Sequence, residues 1–143
     1  MQTGYLFLQT HTDHPDLVRL QAAQYRPMAD QEPTAEAIRY IARFRDIDAA
    51  RMHFHNALSR TLVDIDSGLY RVPLADAIAT IEASDLRHER IWLDPDLPAD
   101  TLQQVKALTG RRHRRQDRSR RIWNGIGLLA LLWLLFNALS SLH

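Results

Sequence analysis

Short apolar runs set off by turn-forming residues fill the first ninety positions, and one long apolar run closes the chain. Gly4-Tyr5-Leu6-Phe7-Leu8-Gln9 is followed by the punctuation Thr12-Asp13-His14-Pro15, and then by Leu17-Val18-Arg19-Leu20. Two such runs around a turn predict a β-hairpin. Residues 26–33, with Pro27, Asp30 and Pro33, read as loop. In residues 37–45, Ile38, Tyr40, Ala42 and Phe44 alternate with Arg39, Arg43 and Arg45, which predicts a strand with its arginines on the opposite face. Asp46 or Asp48 caps a predicted helix running to about Leu62, whose inward stripe is Ala50, Phe54, Ala57, Leu58 and Leu62.

Beyond that helix, Asp66-Ser67-Gly68 reads as a turn and Leu69-Tyr70-Arg71-Val72 as a short strand. Pro73 opens a second helix with Leu74, Ala77, Ile78 and Ile81 inward. After Ile91-Trp92-Leu93 and the prolines 95 and 98, a short helix carrying Leu102, Val105 and Leu108 is expected to end at Gly110. The order predicts a small α+β domain with a mixed or antiparallel sheet. No internal repeat is visible.

Residues 122–142 contain no charged side chain, and as a helix they extend about 31 Å, close to the ~30 Å of a bilayer core. Seven arginines precede them within residues 111–121: Arg111, Arg112, Arg114, Arg115, Arg118, Arg120 and Arg121. The pattern predicts a C-terminal transmembrane helix with a basic collar that contacts anionic lipid and keeps the preceding domain cytoplasmic. The expected setting is a bacterial inner membrane. Met1-Gln2-Thr3-Gly4 lacks a basic leader region, so no secretory signal is expected.

Charge sharpens this division. Residues 1–110 carry eleven basic and sixteen acidic side chains, a balance of −5, whereas residues 111–143 stand at +6. A phosphate backbone would be repelled by the first part except at a local patch, for which Arg19, Arg39, Arg43, Arg45 and Arg51 are the candidates. Cysteine is absent, which excludes disulfides and thiolate metal sites. Of the histidines, His53 and His55 lie two apart on a helix and cannot chelate together, while His11 and His14 share a loop.

The runs GYLFLQT and DHPDLVRL, the helix DIDAARMHFHNAL and the segment GLYRVPLADAI together resemble the phage-associated branch of the GIY-YIG nuclease superfamily. The resemblance covers about residues 3–83 and is carried best by Asp48-Ala49, His55, Leu58 and Tyr70-Arg71-Val72-Pro73-Leu74. It implies a central three-stranded antiparallel sheet flanked by helices, and cleavage of a phosphodiester with Mg²⁺ or Mn²⁺. It also implies two tyrosines (or a lysine for the second), a helix arginine and a helix glutamate. Here the first tyrosine position falls on Phe7, with Tyr5 two residues away, and the second on Arg19, followed by Leu20-Gln21 instead of Ile-Gly. Arg26 is the nearest counterpart of the arginine, and Arg51 stands where the glutamate belongs.

These substitutions predict a GIY-YIG-like domain (1–93) that has lost its catalytic set and metal. A linker helix and collar (94–121) and a tail anchor (122–142) would follow. Such a domain would bind nucleic acid or a partner protein. The competing expectations are a working nuclease using Tyr5, Arg26 and a loop histidine, and a pure protein-interaction scaffold.

Overall fold

The computed structural model describes residues 2–29 and 36–140, with backbone only at 116, 120, 121, 136 and 138–140 of the last helix. The predicted loop residues 30–33, the side chains of Arg120 and Arg121, and residues 141–142 of the expected anchor lie outside the described set. Two compact units are present, residues 1–109 and 110–143.

In the first unit six strands form one antiparallel sheet. They are β1 (Gly4–His11), β2 (His14–Ala23), β3 (Glu36–Phe44), β4 (Leu62–Asp64), β5 (Leu69–Arg71) and β6 (His88–Leu93), in the order β4-β5-β2-β1-β3-β6. β1 lies at the centre because its burial is nearly continuous. Leu6 and Leu8 are fully buried towards the helices and Phe7 is buried on the other face. Alternation then sends Val18 and Leu20 of β2, and Tyr40, Ala42 and Phe44 of β3, to the helix side as well. Helices α1 (Ile47–Leu58) and α2 (Leu74–Glu82) close this core with Ala50, Phe54, Leu58, Ala77, Ile78 and Ile81.

The local chemistry of each element is legible. Asp46 caps α1 by accepting a hydrogen bond from the Ala49 amide at 3.1 Å. The helix gives way at Ser59–Thr61 to a single 3-10 turn, so Leu62 belongs to β4 and Ala57 is exposed, unlike the stripe read from the sequence. Gly68, at φ 63°, turns β4 into β5 with its carbonyl accepting from the Leu20 amide at 2.9 Å. Tyr40 donates to Glu82 at 2.8 Å, tying β3 to the end of α2. Burial, reinforced by the Glu82 charge, raises the Tyr40 hydroxyl's pKa far above its ordinary value.

The C-terminal expectation requires correction. The helix that begins near residue 99 does not stop at Gly110; α3 is one helix, Ala99–Ser140, and Leu102, Val105 and Leu108 pack on the core from its first turns. Gly110 keeps helical geometry there, since nothing in the backbone turns left-handed at this point. Among the described residues no helix is long and apolar enough to cross a membrane, so the predicted transmembrane helix over 122–142 is not supported.

Candidate functional site

The β1–β2 ladder sets Gln9 opposite Arg19, and the β2–β5 ladder sets Arg19 opposite Leu69. These three, with Thr10, His11, His14, Leu17 and Glu36, line a cleft of about 150 Å³. Arg19 Nη1 donates to both oxygens of the Glu36 carboxylate, at 2.6 and 2.7 Å. Such charge-assisted contacts fix the guanidinium plane. Two polar atoms in the cleft are nevertheless buried without a hydrogen-bond partner among the described residues, Gln9 Oε1 and Arg19 Nε. Each unmet buried group costs about 1–3 kcal/mol. At the rim, the rings of His11 and His14 lie 5.8 Å apart, and His11 Nδ1 accepts from the Asp13 amide at 3.2 Å. The Asp13 carboxylate is 3.7 Å from the same nitrogen, too far for a hydrogen bond, so the amide contact defines the ring's tautomer.

The five arginines expected to form one phosphate patch are dispersed. A register shift between Leu8 and Gln9 in the β1–β3 ladder makes Arg39 an extra residue, so it does not share the face of Arg43. Its Nε donates to Thr10 Oγ1 at 3.0 Å and its Nη1 binds the buried Asp94 carboxylate, which fixes the exit from β6. Arg19 is committed to Glu36. Arg51 is exposed on α1 beside a separate open groove of about 820 Å³, shared with Asp48, His55, Asp66 and Tyr70. Only Arg43 and Arg45 stay together. They border an open cleft of about 690 Å³ with Arg87, a residue the sequence reading missed, and with Glu89, which opposes Arg43 across the β3–β6 ladder. Arg87 becomes a neighbour only through the pairing of β6 with β3, and no local pattern announces that pairing.

The positions singled out by the nuclease resemblance do not converge. Phe7 and Arg19 share the sheet face away from the core, whereas Arg51 sits on a helix packed against the core face. Tyr5, half-buried opposite Arg43, lies at the other end of β1 from His11, about 20 Å away at ~3.4 Å per residue. Arg26 is exposed beyond β2. The residues present do not fit a divalent cation. Arg51, a cation, stands at the position implied for the metal carboxylate, and among the described residues no three His, Asp or Glu side chains converge. His55 shares a 3.0 Å hydrogen bond with the Tyr70 hydroxyl, whose pKa burial raises. That contact joins α1 to β5.

In the second unit the collar arginines Arg111, Arg112, Arg114, Arg115 and Arg118 are exposed on α3. Ten large apolar side chains between Ile122 and Leu135 follow, each at least half exposed. Comparison with known protein families, curated proteins and solved structures finds no match.

Proposed function

We propose that the sheet domain is a non-catalytic binding module held at an anionic lipid surface by the basic and apolar parts of α3. The observation that carries this reading is the exposure of Ile122, Trp123, Ile126, Leu128, Leu129 and Leu131–Leu135 directly after a run of exposed arginines on the same helix. Five successive residues of a helix reach all its sides, so a single flat protein face leaves part of this segment in water. A lipid surface, being fluid, adapts to whichever of these side chains face it. Withdrawing each such side chain contributes on the order of 1–2 kcal/mol. The arginines select the surface, at about 1 kcal/mol each near anionic headgroups. They also disfavour a parallel second copy, whose like charges would be brought side by side.

Support for a binding rather than a cleaving role comes from the separation of Tyr5 from the loop histidines and from the cation at position 51. A partner that is itself anionic would meet the Arg43, Arg45 and Arg87 cleft, against a domain balance of −5.

Flotation of the full chain with neutral and with anionic phospholipid vesicles tests the lipid reading. Strong binding to the anionic vesicles is expected at low salt, with several-fold less on neutral ones. Replacing Arg111, Arg112, Arg114, Arg115 and Arg118 by Gln should remove the difference. Equal binding to both compositions, or a lipid-independent oligomer that floats with neither, would overturn it. Incubation of the full chain with DNA and RNA in Mg²⁺ or Mn²⁺ should give no cleavage; cleavage lost in Tyr5→Phe would reject the non-catalytic part.

A further inference from the structure

Four arginines of the first unit, Arg19, Arg39, Arg71 and Arg90, each lie beside a carboxylate. Arg43, Arg45 and Arg87 do not. All three are exposed, and among the described residues none of them has an ion-pair partner. Yet they border one open cleft of about 690 Å³ at the end of the β3–β6 ladder, together with the hydroxyl-bearing Thr3. The register keeps them close. Arg43 lies opposite Glu89 and Phe44 opposite His88, so Arg87 is the diagonal neighbour of Arg43, about 7–8 Å away and within reach of long side chains. Arg45 follows Arg43 by two residues, a separation of no more than about 7 Å. The backbone carrying Arg87 is held in place, because His88 Nδ1 donates to the Leu86 carbonyl at 2.8 Å and the His88 ring stacks on Phe44 with centroids 5.2 Å apart. Asp46, next to Arg45, is occupied in capping α1.

Three guanidinium groups and the Glu89 carboxylate leave the cleft with a net of two positive charges. Cations held this close repel one another, and a ligand with two negative charges offsets the repulsion. A phosphomonoester carries that charge above its second pKa of about 6, and it presents three acceptor oxygens to the planar forks. A carboxylate or a phosphodiester brings one charge and fewer free oxygens. A nucleic-acid strand is disfavoured further, since its phosphates beyond the cleft would meet a domain whose balance is −5. We propose that the cleft of Arg43, Arg45 and Arg87 binds the terminal phosphate of a soluble phosphomonoester as its dianion. The site names a ligand class for the binding module and rests on that reading, but it is independent of lipid docking.

Calorimetric titration of the full chain in a maltoside detergent, at low salt and about pH 8, tests the assignment. The probes are methyl phosphate, dimethyl phosphate, acetate and a thymidine dodecamer without terminal phosphates. One saturable site is expected for methyl phosphate, with dimethyl phosphate and acetate at least about tenfold weaker. Arg43→Gln, Arg45→Gln and Arg87→Gln should each weaken methyl phosphate binding about tenfold and leave the thermal melt unchanged, because these side chains are exposed. Glu89→Gln, which removes the opposing charge, should tighten it several-fold. Replacing Arg111, Arg112, Arg114, Arg115 and Arg118 by Gln should leave it as in the native chain, which separates this site from the lipid contact. The absence of saturable binding, equal affinity for the monoester and the diester, loss of binding in the collar variant alone, or tighter binding of the dodecamer by that variant would overturn the assignment. Cleavage of nucleic acid would defeat the binding-module reading without altering the methyl phosphate titration, so the two failures are distinguishable.

Discussion

Leucine behaves in opposite ways in the two units. In residues 2–109, Arg19 and Arg39 are each bound to a carboxylate, and Leu6 and Leu8 have no exposed surface. In residues 110–135 Arg111, Arg115 and Arg118 are exposed, and Leu128 and Leu129 are 65% and 67% exposed. Residue type is the same; the supply of tertiary partners differs. A sheet with helices on one face buries its own apolar groups, whereas the described apolar side chains of α3 beyond residue 121 are exposed. Self-sufficiency and unmet surface therefore divide this chain near residue 110, where its charge also changes sign.

The largest expected effect tests the self-sufficient side. Phe54 is fully buried on α1, with its ring 5.7 Å from that of Phe44. Phe54→Ala should lower the stability of the first unit by about 3–5 kcal/mol. Leu129→Ala, which removes an exposed side chain, should leave the unfolding free energy within about 0.5 kcal/mol and weaken vesicle binding instead. Denaturant titration followed by Trp92 fluorescence, in a background with Trp123 and Trp133 replaced by Phe, separates the two. Equal losses of stability would break the comparison.

The charged groups give the next contrast. Arg39→Met leaves the buried Asp94 carboxylate with the Asp96 amide, at 2.9 Å, in place of its cationic partner. A buried ion stripped of its mate costs about 3–5 kcal/mol, and the partial exposure of Arg39 places this case nearer 2–3 kcal/mol. Arg111→Met on the open helix should cost no more than about 0.5 kcal/mol in the same titration. Smaller again is Gly68→Ala. A left-handed alanine is strained by about 1–2 kcal/mol, and its Cβ would stand 2.5 Å from the Leu20 carbonyl oxygen, so the β4–β5 hairpin must shift. A drop of about 2 kcal/mol, with unchanged vesicle binding, is expected.

Local rules carried much of the fold. Alternation placed β3, the Thr12-Asp13 turn placed the first hairpin, and Asp46 and Gly68 marked a helix start and a turn because each acts on its immediate neighbours. What depended on partners far along the chain was not legible. β6 pairs with β3 and β4 with β5 through ladders that three to six residues do not advertise, and the register shift that turns Arg39 to Asp94 is invisible in a period-two pattern. The arginine patch failed for this reason: alternation alone predicted one face. Gln9 was never singled out, since a glutamine in an apolar strand looks ordinary until Arg19 is placed opposite it. The long helix misled differently. The anchor expected from residue 122 onward is not supported among the described residues, and Gly110 did not interrupt a helix whose flanks both favour continuing.

The smallest effect lies in the hairpin turn and tests whether self-sufficiency extends to the sheet's most exposed edge. Asp64 accepts from the Ser67 hydroxyl and from the Ser67 amide at 3.2 Å, and these bonds hold its carboxyl below the usual aspartate range. The folded value is thus lower than the unfolded value of about 3.9, so the turn gains stability above that pH and loses it as pH falls through the depressed folded value. Asp64→Asn removes the titration. Thermal melts of the two proteins should differ at neutral pH, with the native chain the more stable, and should converge as pH falls through the depressed folded value. A constant difference across that range would mean that the Ser67 contacts are not formed in solution. The edge strand β4 would then depend on its neighbour β5 alone.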